Sequence, residues 1–268
     1  MLKNTILFLA LLCCGATPAY AGVDFQKTSS RHFEVYYEKS VEESFAKEVL
    51  TFAEKYYGEL TEKLGFVRYD YWTWDERARI YIYADQESYL KETGQPEWSG
   101  GVASYREKII KTFPRSAGFF DSLLPHEIGH IVLREVIGSH DVPLWLEEGV
   151  ASYLEPARRF GSQKMVQDAI EKGTFIPLES LNGMRPSSMS DKEQIELFYA
   201  ESVSLLTFLI EEFGIDRFNT ICDKVRDGKS FERALQLTLF GVQSLEDFSR
   251  MWEDSLRKKA GPTRRTML

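Results

Sequence analysis

The sequence predicts an α+β fold, with a small mixed sheet and helices in an N-terminal lobe and a mostly helical C-terminal lobe. Two observations carry this. Segments that alternate like strands are confined to the first 113 residues, whereas from Asp121 onward apolar residues recur at helical spacing almost without a break. A third sets the scale: 268 residues with 43% hydrophobic and 28% charged side chains is ordinary globular composition, enough for one large domain or two lobes.

Met1–Ala21 reads as a secretory signal peptide. Lys3 supplies the basic start, Ile6 to Cys14 an unbroken apolar stretch, and Ala19-Tyr20-Ala21 a small-x-small cleavage site. The apolar stretch is too short to span a bilayer, and no later run approaches about 18 apolar residues, so no stable membrane insertion is expected. The chain is therefore expected to be exported, and periplasmic or secreted after cleavage near Ala21. Lipidation is the rival reading, but neither Cys13 nor Cys14 has the usual Leu-small-small approach. Cleavage leaves Cys222 alone, so no internal disulfide can form, and its apolar helical surroundings read as a buried thiol.

Residues 22–258 are expected to form the folded domain, the sheet lobe covering about 22–140 and the helical lobe about 141–258. His32 to Tyr37 alternates like a strand, and Ser40 to Leu64 is a long amphipathic helix closed by Gly65. Ala78 to Tyr83 is a second strand, followed by a short helix over Glu87–Glu92. Val102–Tyr105 and Lys108–Phe113 read as a hairpin turning at Arg106-Glu107. Helices are expected at about 121–137, 143–155, 162–172, 193–213, 215–227, 230–240 and 244–258. The aromatic stretch Tyr69 to Trp74 reads as cover for a sheet face or as a substrate-gripping rim. Residues 259–268 read as a flexible basic tail. A formal net charge of −8 disfavours nucleic acid and anionic membrane surfaces as partners.

The chemistry is concentrated at Leu124-Pro-His-Glu-Ile-Gly-His130, an HExxH motif that uses two of the chain's four histidines. Asp121 or Ser122 can cap its helix, Pro125 is tolerated in the first turn, and Gly138 can end it. On that helix His126 and His130 project one turn apart from one face, as two ligands of a tetrahedral zinc ion require. Glu127 is displaced around the helix, where it can reach a metal-bound water without ligating the metal. Two histidines leave room for a third protein ligand and a water. The next helix, opened by Pro143, carries two candidates, Glu147 and Glu148, either of them chemically capable.

Here the sequence resembles the gluzincin metallopeptidases, the peptidase MA-like group that includes thermolysin and the zinc aminopeptidases. Their HExxH helix is followed by a helix reading W-L-x-E-G-x-A, matched by Trp145-Leu-Glu-Glu-Gly-Val-Ala151. The resemblance gives the third ligand role to Glu148. A metzincin would need Gly and His where Leu133 and Val136 stand. Thermolysin carries an Asp where this chain has Ser152, and the aminopeptidases carry a Glu in a G-x-M-E-N strand that Gly100–Ser104 lacks. Tyr199-Ala-Glu-Ser-Val-Ser-Leu-Leu-Thr-Phe-Leu209 resembles the aminopeptidase helix Y-E-x-G-x-x-L-L-x-Y-L, whose leading Tyr hydrogen-bonds the oxyanion, so Tyr199 inherits that role. The hairpin at 102–113 would hold the sheet edge that pairs with a bound peptide, with Lys108 and Lys111 as edge-guarding charges or a preference for acidic substrates.

The resemblance implies a zincin-like architecture, with the zinc cleft between the two lobes and one Zn²⁺ per chain. The expectation is an exported zinc-dependent peptidase acting on peptide or protein substrates. A zinc-activated water would attack with Glu127 as general base, and endopeptidase action is favoured over aminopeptidase action. The alternative is a non-cleaving peptide or cell-wall binding protein that retains a zincin fold.

Overall fold

The computed structural model describes residues 24–66, 77–97, 99–104, 107–114, 118–186 and 189–260. The leader Met1–Ala21, the aromatic segment Tyr69–Trp74, the hairpin residues Tyr105 and Arg106, and tail residues 261–268 lie outside them. The chain divides into two compact units, Met1–Glu135 and Val136–Leu268.

In the first unit β1 (Phe25–Ser29), β2 (Phe33–Glu38), β3 (Ala78–Ile82), β4 (Gly101–Ser104) and β5 (Ile109–Thr112) form a sheet of order β1-β2-β3-β5-β4. β2, β3 and β5 run parallel, and β1 and β4 lie antiparallel along the two edges, so the sheet is mixed. Phe33, Val35 and Tyr37 pair in register with Ala78, Ile80 and Ile82 to form one wholly buried face. Against it packs α1 (Glu43–Lys63), with Ala46, Val49, Ala53 and Leu60 buried. Its Glu54 carboxylate accepts from the Ser30 hydroxyl (2.6 Å) and the His32 N–H (2.7 Å), fixing the helix to the start of β2. On the other face Tyr81, Tyr83, Ile109 and Phe113 form a smaller cluster with Tyr89 of α2 (Gln86–Thr93).

The sheet order corrects one expectation. β5 lies between β3 and β4, so Lys111 is not on an edge strand; it is half-buried, and burial lowers its ammonium below the usual value. The edge on that side is β4. Lys108 stands just before β5 at φ 54 and pairs with Glu135 at 2.5 Å, near the end of the helix that carries HExxH.

That helix, α3 (Leu124–Ile137), is preceded by a π turn, Phe119–Leu123. Phe45 and Phe52 of α1 pack on Phe119 and Phe120, and the Tyr56 hydroxyl donates to the Phe120 carbonyl at 2.5 Å. The turn is thereby anchored to α1.

The second unit is helical: α4 (Leu144–Ser152), α5 (Pro156–Lys172), α6 (Leu178–Gly183), α7 (Lys192–Phe213), α8 (Ile215–Arg226), α9 (Phe231–Thr238) and α10 (Leu245–Ala260). α4 is buried from Trp145 through Ser152, which marks it as the core helix of this unit. Trp145 donates from its indole N–H to Asn182 (2.9 Å) and packs between Phe231 and Phe248. α7, capped by Asp191 and ended at Gly214, lies along both α4 and α5. Cys222 is a buried free thiol whose pKa is raised by burial, as its apolar surroundings predict. Among the described residues no helix is long and apolar enough to cross a membrane.

Candidate metal centre

α3 is apolar enough to be buried on nearly every side, with Ile128, Ile131, Val132 and Leu133 in the core. Within this setting the HExxH polar groups are buried as well: His126 is 2%, Glu127 0% and His130 1% exposed. Burying three polar groups in one and a half turns is costly unless hydrogen bonds or a metal ion satisfy them. The two imidazoles are 4.8 Å apart between ring centroids, nearly perpendicular, with their Nε2 atoms 3.2 Å apart. Burial, then the neighbouring His126 and Arg134, hold the His130 imidazole well below its ordinary value. It is therefore neutral near pH 7, the state in which a ring nitrogen can offer a lone pair.

Glu148, 3% exposed, completes the set. One ligand atom each from His126, His130 and Glu148 lie within 4.8 Å of one another. The donor chemistry fits a zinc ion. A tetrahedral ion about 2.0–2.1 Å from each of two nitrogens holds them roughly 3.3 Å apart, close to the observed Nε2 spacing. Two neutral imidazoles and one carboxylate also leave one of four positions for water or substrate. Glu147, the other candidate on α4, is buried at 6% but is not part of this group.

Gly149, next to Glu148, is dictated by packing. A Cβ placed there would stand 2.6 Å from the Ser202 carbonyl oxygen of α7, closer than a side chain can approach backbone. α4 and α7 can therefore pack at this distance only with glycine at that point. The contact runs between two of the sequence motifs, Trp145–Ala151 and Tyr199–Leu209.

Tyr199 is buried on α7 (2% exposed). Burial, then the Glu148 carboxylate, push its phenol well above the ordinary value, so it is a neutral O–H donor at neutral pH. Sequence reasoning missed the group around it. Arg158, at the start of α5, lays its guanidinium over the Tyr199 ring, 4.2 Å from the centroid, and faces Glu155 and Glu196. The available signal was weak, because a Glu-x-x-Arg pair reads as an ordinary surface ion pair on any helix.

The Peptidase MA superfamily matches residues 73–258. The chain belongs to that superfamily. The match spans both HExxH and the Trp145–Ala151 motif, so the gluzincin resemblance read from those residues holds at the level of the superfamily. No curated protein matches the chain. Among solved structures, yeast LTA4 hydrolase in complex with bestatin is similar at a TM-score of 0.44 and 15% identity. That similarity covers 89% of this chain and 38% of the hydrolase chain, so this chain spans well under half of that protein's length.

Proposed function

We propose that this member of the Peptidase MA superfamily is an exported zinc-dependent endopeptidase. The observation that carries the reading is the buried group His126, His130 and Glu148, with one ligand atom from each lying within 4.8 Å of the others. Three buried metal-type ligands beside a further buried acid, Glu127, that is not one of them suit catalysis better than structure, since a structural site is normally closed by four protein ligands.

In this reading His126, His130 and Glu148 hold the zinc. When bound, zinc supplies Lewis-acid polarisation of the scissile carbonyl and makes the attacking water more acidic. Glu127 accepts the proton from that water as it attacks, and delivers it to the leaving amine. The Tyr199 hydroxyl, neutral and buried, donates to the oxyanion that develops on the former carbonyl oxygen. Endopeptidase action is preferred because Gly100–Ser104 carries no acid to bind a substrate's free amine. Export rests on the leader-like Met1–Ala21.

The test is cleavage of unstructured casein by the purified mature chain, with zinc content read by atomic absorption. The expected result is about one zinc per chain and cleavage that a chelator stops and added zinc restores. Glu127→Gln should keep the zinc and abolish cleavage. Chelator-resistant cleavage, or full activity in Glu127→Gln, would sink the proposal.

A further inference from the structure

The surroundings of Tyr199 contain more than its proposed role as a hydrogen-bond donor requires. Arg158 lies with its guanidinium carbon 4.2 Å from the Tyr199 ring centroid, so a cation rests on the face of the ring. Its side chain is only 15% exposed. Two carboxylates hold it there: the Nε–H donates to Glu155 at 3.3 Å, and a terminal nitrogen lies 3.7 Å from Glu196. Glu155 is the N-cap residue of α5, and Glu196 stands three residues before Tyr199 on α7. The four side chains therefore form one packed unit across the contact of α5 with α7.

The charges of this unit bear on the phenol. Glu155 and Glu196 place two carboxylates beside the guanidinium, while Arg158 sets a cation against the face of the Tyr199 ring. A phenol among carboxylates alone is a poor donor to a developing oxyanion, because negative surroundings resist any shift of charge onto its oxygen. A planar guanidinium stacked on the ring offsets that field and fixes the plane in which the hydroxyl points. Glu155 and Glu196 engage the guanidinium and so hold it over the ring.

We infer that Arg158 is a positioning residue that holds the Tyr199 ring and opposes the carboxylate field around it, so that the hydroxyl can donate to the oxyanion. The inference rests on the reading of Tyr199 as the oxyanion donor, and the test separates the two.

The test is a double-mutant cycle on the zinc-loaded mature chain, made of Arg158→Met, Tyr199→Phe and the pair together. Each protein is measured for kcat and KM on an internally quenched casein-derived peptide. Each is also measured for Kd toward a dipeptidyl phosphonamidate, whose tetrahedral phosphorus stands in for the intermediate. Arg158→Met should lower kcat about tenfold, leave KM within about twofold, and weaken the phosphonamidate by the same factor as kcat. In the Tyr199→Phe background the same change should cost less than about twofold, because the hydroxyl it serves is gone. Arg158→Lys, which keeps the charge but not the planar stack, should recover only part of the lost kcat.

An equal loss from Arg158→Met in both backgrounds would make the residue structural and overturn the inference. So would wild-type kcat in Arg158→Met alongside an impaired Tyr199→Phe. Wild-type kcat in Tyr199→Phe alone would remove the reading of Tyr199, and the inference with it. If Arg158→Met does not fold, as judged by thermal unfolding, Arg158→Gln takes its place in the cycle with the same expected factors.

Discussion

A Cβ at Gly149 would lie 2.6 Å from the Ser202 carbonyl oxygen, and 3.4 Å from the Cβ of Leu206. The first neighbour is backbone in the middle of a 22-residue helix and cannot turn aside. Gly149→Ala should therefore push α4 away from α7 despite alanine's better helix propensity. The expected cost is about 1–3 kcal/mol of stability, typical of overpacking in a close-packed core. Urea unfolding should show a lower midpoint, and zinc affinity should fall because Glu148 is the preceding residue. An unchanged midpoint would mean that the two helices have room to spare.

The metal group predicts a contrast between adjacent glutamates. Zinc that binds the folded chain and not the unfolded one raises the melting temperature by mass action. Wild type should show this rise, and a chelator should reverse it. Glu148→Ala should abolish the rise, with zinc retained at well under one equivalent after dialysis. Glu147→Ala, which changes a buried acid outside the ligand group, should keep the zinc-dependent rise even if its baseline stability is lower. A rise lost in Glu147→Ala and kept in Glu148→Ala would exchange the two roles.

How far the fold could be read from the sequence depended on whether local pattern or distant pairing decides each element. α3, α4 and α7 were legible because their apolar spacing and their motifs coincide, and the local signal of each agrees with its burial. β1 was missed: Phe25–Ser29 is polar and mostly exposed, and it is a strand only because β2 pairs with it. α5 was expected at about 162–172 but begins at Pro156, since proline suits the first turn of a helix. α6 is six residues long, with only Leu178 and Leu181 buried, too short for periodicity to show. The position of β5 inside the sheet, which removes Lys111 from the edge, follows from non-sequential pairing that local pattern does not encode. The same limit applies at the site. The motifs named the metal-type ligands and Tyr199, but not Arg158, whose meaning depends on which helix face meets α7.

A last prediction concerns Glu201, fully buried on α7 with one carboxylate oxygen accepting the Ile176 N–H at 3.0 Å. The other oxygen is buried without a hydrogen-bond partner. Burial pushes this carboxyl up to about 8, against the lowering effect of the Ile176 N–H. The acid is therefore protonated in the folded chain at neutral pH, while in the unfolded chain it ionises near its ordinary value of 4.5. Between those two values the folded state binds the extra proton, so stability is greatest below about 4.5 as far as this group is concerned. It falls as pH rises toward about 8, with a slope on the order of 1 kcal/mol per pH unit. Glu201→Gln keeps an acceptor for the Ile176 N–H and cannot ionise. Urea midpoints taken from pH 5 to pH 9 should therefore fall more steeply in wild type than in Glu201→Gln, the variant gaining most near pH 8. Parallel profiles for the two proteins would mean that Glu201 is ionised in the fold, and that water or a cation reaches its second oxygen.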